Sequence, residues 1–180
     1  MVPPLSGIAR QASVAAKMEA LMSRSDQSRD IETRVRPMAR HDLPVVSAMI
    51  ARLAAHHGDT PLVDPTRLEA DLFGAGPWLH GLVAERFGFI VGYALLTPRY
   101  RAQLTQRGLD LHHLFVMEGS RGLGIGRLLV AAAADHARAR GCAFLAVGTS
   151  AENVRAGDFY RANGFVPRVD AGPVFAMALG

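Results

Sequence analysis

Glycine stands at three alternate positions, 122, 124 and 126, in the stretch Ser120-Arg-Gly-Leu-Gly-Ile-Gly-Arg-Leu-Leu129, after which the chain turns apolar. This feature restricts the fold more than any other, because it demands a strand, a sharp turn and a helix in that order. The residues before it, LDLHHLFVM (109–117), form a β-rich apolar run. Ile125 to about Arg140 is helical in pattern and closes at Gly141. A helix that starts on glycine leaves its first N–H groups without side-chain caps, and its dipole adds partial positive charge there. Glycine also admits positive φ and lets another molecule touch main chain. The turn therefore predicts an anion cradle of backbone amides from 122 to 127, flanked by Arg121 and Arg127.

Two phosphate loops are excluded by counting. A dinucleotide fingerprint begun at Gly122 needs glycine at 127, where Arg127 stands. The alternative G-x-x-x-x-G-K loop fits Gly119 and Gly124 but meets Ile125 where lysine is required.

Around this centre the chain reads as one domain over 33–180, preceded by a polar, serine-rich segment, 1–32, expected to be a flexible extension. Within that segment QASVAAKMEALM has the pattern of a short amphipathic helix, and no apolar stretch long enough for a secretory leader appears. TRVRPM (33–38) alternates as a strand. HDLPVVSAMIARLAAHHGD reads as a helix with Asp42 cap-like, Pro44 in the first turn and Gly58 at its end. DPTRLEADLFG repeats that punctuation with Asp64, Pro65 and Gly74. HGLVAERFGFIVGYALLTP predicts two strands about a tight turn at Phe87-Gly88, the second closed by Pro98. AFLAVGT is a strand, Glu152–Asn163 a helix and GPVFAMAL a last strand. Consecutive strands followed by alternation predict an α/β (α+β) fold with a mixed sheet.

The net charge of +4 comes from 20 basic residues, all arginine except Lys17, against 16 acidic ones. The arginines are scattered, and the clusters Arg34/Arg36/Arg40 and Arg99/Arg101 lack interleaved aromatics, so no nucleic-acid partner is expected. The lone Cys142 excludes an internal disulfide, and no Cys/His cluster has zinc spacing. With no apolar run of membrane length, the chain reads as cytoplasmic, with no membrane partner and no metal.

The motif Arg121-x-x-Gly124-x-Gly126 behind LHHLFVM, joined to AENVRAGDFYRANGF (151–165), resembles the GNAT acetyltransferase superfamily over about residues 33–178. The resemblance implies a mostly antiparallel central sheet of about six to seven strands, flanked by about four helices and splayed between its two central strands. It implies acetyl-CoA as co-substrate, its diphosphate on Gly122, Leu123, Gly124, Ile125, Gly126 and the two arginines, and its pantetheine on main chain at Leu114, Phe115 and Val116. It implies that Asn153 bonds the pantetheine arm and that Tyr160 protonates the departing thiolate, a fitting role for a phenol with pKa near 10. It also implies a homodimer. Asn153 and Tyr160 lie seven apart on the predicted helix and share a face made shallow by Ala156.

An acetyl acceptor must be a neutral amine, so a proton acceptor is required. His112 is the candidate, and strand alternation sets His112 and His113 on opposite faces. DLFGAGPWLHGLVAE, IVGYALLTPRY and LFVMEGSRGLGIG further resemble the diamine (spermidine/spermine) acetyltransferase branch. That branch carries an acidic residue where this chain has His112, so the polyamine class transfers only weakly. Asp59, Asp64, Glu69 and Asp71 remain as acidic candidates near the acceptor, with Trp78 and Tyr100 as walls. The expected acceptor is a primary amine of a small molecule, a diamine, polyamine, amino acid or amino-drug, attacked directly in a ternary complex. A protein lysine or N-terminal acetyltransferase and a non-catalytic acyl-CoA sensor stand as alternatives.

Overall fold

A computed structural model describes residues 33–168 and Met177. Five strands form one sheet in the order of the chain: β1 (Thr33–Pro37), β2 (His80–Arg86), β3 (Phe89–Arg101), β4 (Gln106–Val116) and β5 (Phe144–Ala146). The first four pair antiparallel and β5 joins β4 in parallel, so the sheet is mixed as the element order predicts. The expected six to seven strands are corrected to five among the described residues; the predicted last strand and the extension 1–32 lie outside them, Met177 excepted. Four α-helices flank the sheet: α1 (Leu43–His57), α2 (Pro65–Phe73), α3 (Ile125–Ala139) and α4 (Val154–Ala162).

Local chemistry accounts for most boundaries. The β2–β3 hairpin turns on Phe87 and Gly88, with φ of 51° and 78°, the two positive angles that suit a tight turn between twisted strands. Asp64 caps α2 by accepting from the N–H groups of Thr66 and Arg67, and Pro65 occupies the first helical position. Pro98 does not close β3, which runs on to Arg101. The last β3 residue paired with β2 is Leu96, so among the described residues Pro98 lies where β3 is paired only with β4, an edge position that proline tolerates.

The strands bury alternate residues on two faces. Leu82, Ala84, Ala94, Leu96, Leu109 and Leu111 meet Ile125, Leu129 and Ala133 of α3 on one. On the other, Val83, Tyr93, Leu95 and Phe115 meet Val46 and Met49 of α1 and Leu72 of α2. Both helix layers thus take their stability from apolar burial against a common sheet.

Asp42 stands at the N-cap position of α1, as its spacing predicts, but its side chain is committed elsewhere. It makes no side-chain cap bond to α1; its carboxylate, 2% exposed, turns back to Arg36 through two bonds of 2.7 and 2.9 Å and accepts from the Ala39 N–H at 2.8 Å. Arg36 also reaches Glu85 at 3.0 Å and so ties β1 to β2 and to the start of α1. The bond from Arg36 holds the Asp42 carboxyl below its usual range against the opposing effect of burial. Because the folded pKa is the lower one, the stabilisation is complete above the unfolded aspartate value, about 3.9, and is lost as pH falls through the folded value. Arg36→Met is expected to cost roughly 3 kcal/mol in urea unfolding at neutral pH, since it strands a buried charge. Asp42→Asn should flatten the acid limb of stability below about pH 4.

Candidate active site

β4 and β5 stay together for three register pairs, Gly108↔Phe144, Leu109↔Leu145 and Asp110↔Ala146. β5 then ends, whereas β4 continues to Val116, still paired with β3 on its other side as far as Gly92. Main chain from Leu111 to Val116 therefore has no strand partner on the β5 side among the described residues. Beyond Val116, β4 leads through a 3-10 turn, Glu118–Ser120, into the glycine turn and α3.

Gly122 and Gly124 have φ of 78° and 79°, and a Cβ on either would meet nothing within 4 Å, so they are needed for the left-handed backbone and front open space. Gly126 differs. A Cβ there would sit 3.2 Å from the Phe159 ring, so this glycine seats α4 against α3 rather than making room for a ligand. The first bond inside α3 runs from the Leu128 N–H to the Gly124 carbonyl. The amides of 122–127 have no acceptor among the described residues, as an anion cradle would require. Ile125 buries its side chain in the core and offers only its N–H, whereas Leu123 is exposed. The exposed Arg121 donates from Nε to the Val116 carbonyl at 3.0 Å, bracing its guanidinium across the turn; Arg127 is also exposed.

Of the three β4 positions, Leu114 and Val116 pack on the α3 face and Phe115 on the α1 face. Asn153 is the N-cap of α4, which starts at Val154, later than predicted. Its Oδ1 accepts from the Ala156 N–H at 3.0 Å, so one end of the amide serves the helix and leaves Nδ2 to donate. The helical face shared by Asn153 and Tyr160 is accordingly a helix mouth and a helix face. Tyr160 is half-buried, its ring edge-on to Phe159 and Phe165 at 5.4 and 5.5 Å, and packs on the α3 side. Its hydroxyl has no hydrogen-bond partner among the described residues, and burial pushes the phenol pKa above its ordinary value. The glycine turn, β4 and α4 are thus brought together through Phe159, Gly126 and Val116.

The histidines depart from simple alternation. The β3–β4 register jumps from Leu95↔His113 to Leu96↔Leu111, leaving His112 as the extra residue of a bulge just past the last β5 pair. Instead of facing apart, the two rings stack at 4.8 Å and 11°, with His112 exposed and His113 half-buried. The signal was present in the sequence: apolar residues at 109 and 111 resume at 114 and 116, a one-residue phase break. His112 lies with His113 towards the α1 face, whereas Tyr160 belongs to the α3 face.

The acidic candidates have local tasks: Asp64 caps α2, Glu69 pairs with Arg40 and Asp71 with Arg67. Asp59 is exposed. Trp78 is exposed between α2 and β2, and Tyr100 lines a groove of about 450 Å³ with His80, Arg107 and Arg140, away from the glycine turn. A second hollow of about 440 Å³ lies between α1 and α2 at Leu43, Ser47, Thr66 and Glu69. Among the described residues no His, Cys, Asp or Glu cluster is arranged to hold a metal, and no helix is long and apolar enough to cross a membrane.

Comparison with known proteins agrees with this geometry. Thialysine N-epsilon-acetyltransferase of Mus musculus is 30% identical over 139 residues, covering 72% of this chain and 81% of that protein. The Bos taurus protein of the same name is 30% identical over 140 residues, covering 72% and 82%. An aminoglycoside acetyltransferase from an uncultured soil metagenomic sample, crystallised with trehalose, superposes with a TM-score of 0.70 over 83% of this chain and 99% of that one, at 19% identity. An aminoglycoside N-acetyltransferase in complex with CoA superposes at 0.66 over 81% and 94%, at 22% identity. These last two bear on the fold alone. Residues 50–165 match the model of the acetyltransferase (GNAT) family, more than half of the sequence, and the chain belongs to that family of acetyltransferases.

Proposed function

We propose that the chain transfers an acetyl group from acetyl-CoA to a primary amine of a small molecule, by direct attack in a ternary complex. The observation that carries this reading is that β4 runs on past the end of β5, without a strand partner on that side among the described residues, into a glycine turn whose amides have no acceptor there either. Acetyl-CoA supplies a thioester carbonyl open to attack by an amine. Gly122 to Arg127 would hold its diphosphate through main-chain N–H groups, with Arg121 and Arg127 adding charge-assisted bonds. The edge of β4 at Leu114, Phe115 and Val116, without a strand partner there among the described residues, would take the pantetheine as an added strand, and Asn153 would donate from Nδ2 to it.

His112, turned outward by the bulge, accepts the proton of the incoming ammonium, directly or through water. Burial raises the Tyr160 pKa, so the phenol carries its proton at working pH and has one to deliver to the departing thiolate. A small amine is favoured over a polycation because Asp64, Glu69 and Asp71 already have partners. The name shared by the sequence relatives points the same way, to the small amine thialysine.

The test is acetyl-CoA turnover, followed as free-thiol release, against a panel of amino acids, diamines and aminoglycosides. Turnover with a small amine is expected. Coenzyme A binding without turnover on any amine would favour a sensor, and turnover confined to peptides a protein acetyltransferase.

A further inference from the structure

The two catalytic groups leave a buried phenol unexplained. Tyr93, in the middle of β3, is 0% exposed, and its hydroxyl lies 3.2 Å from Nδ1 of His113. Leaving a buried O–H proton without an acceptor costs more than leaving oxygen lone pairs unfilled. The Tyr93 hydroxyl therefore donates, Nδ1 accepts with its lone pair, and the ring proton of His113 resides on Nε2. The imidazole is pinned at one nitrogen from within the core.

His112 lies almost parallel on that pinned ring, at 4.8 Å and 11°. The bulge makes this possible by bringing adjacent residues to one side of β4. An exposed strand histidine would otherwise explore several rotamers, whereas proton transfer needs its nitrogen within hydrogen-bond reach and in line. We infer that Tyr93 and His113 are positioning residues for His112: the hydroxyl fixes the His113 ring, and the face of that ring sets the direction in which His112 presents its nitrogens. The inference rests on the proposed role of His112 as proton acceptor.

Histidine side-chain ¹⁵N NMR of the full chain should find His113 neutral and protonated on Nε2; a proton on Nδ1 would overturn the donor assignment and the inference with it. Tyr93→Phe keeps the ring and removes only the hydroxyl. Turnover at saturating acetyl-CoA should fall roughly tenfold, with coenzyme A affinity unchanged. Because the hydroxyl acts through His113, the Tyr93→Phe/His113→Phe double variant should be no slower than His113→Phe; multiplying losses would overturn the inference. His112→Ala separates the two levels. If it retains turnover, the base assignment itself fails. If it is inactive while Tyr93→Phe matches the unmodified chain, only the positioning role is lost.

Discussion

Gly124→Val is expected to weaken coenzyme A binding roughly tenfold or more, measured by titration calorimetry. At φ of 79° a β-branched residue is strained, by about 1–3 kcal/mol. The backbone can relieve that strain by rotating away from the left-handed region, which would turn the neighbouring amides off their common focus. The open space in front of Gly124 is also where a valine side chain would project. The strain also lowers the stability of the unliganded chain, whereas the turned amides and the projecting side chain act on the ligand, and about 1.4 kcal/mol already amounts to a factor of ten in affinity. Gly126→Val differs in its cause. Its added carbons meet the Phe159 ring, so the fall should appear in thermal stability without ligand as well as in affinity. If Gly124→Val binds coenzyme A as the unmodified chain does, the diphosphate does not rest on this turn.

Tyr160→Phe should reduce turnover by roughly a hundredfold or more, the range for loss of a positioned general acid, with little change in acetyl-CoA affinity. The ring remains to pack between Phe159 and Phe165, so the fold should tolerate the change. The pH profile supplies a second check. Burial raises the Tyr160 pKa, so the phenol is protonated at every pH below its already high ordinary value and the acid is present throughout. Any alkaline decline assigned to it should lie above about pH 10 and disappear in the variant. Equal turnover in Tyr160→Phe would assign thiolate protonation to another group.

Short-range signals were the most legible part of the chain. The Phe87-Gly88 hairpin, the Asp64-Pro65 helix start and the strand–glycine–helix unit each rest on a few adjacent residues whose backbone preferences agree. Features built from distant partners were harder to see. Asp42 has the position of a cap, but its carboxylate answers to Arg36 and Ala39 once the chain doubles back, and helix-start spacing says nothing about that. Gly126 looked like its two neighbours, and only the docking of Phe159 distinguishes it. The stacking of His112 on His113 followed from a bulge whose trace, the broken alternation between Leu111 and Leu114, was readable but subtle. The strand–turn–helix frame was therefore visible in sequence, while the aim of the candidate side chains on it depended on packing.

The sheet keeps its two apolar layers apart, and β4 is the strand that serves both, with Leu114 and Val116 on one side and Phe115 on the other. Substitutions more than about 7–10 Å apart with no shared partner combine almost additively. A lineage can therefore reshape the α1–α2 layer while the layer carrying α3 and α4 stays intact. If, as proposed, the donor rests on the glycine turn and the amine meets His112 on the α1 side, such partition would let a new acceptor be explored without dismantling the grip on the donor.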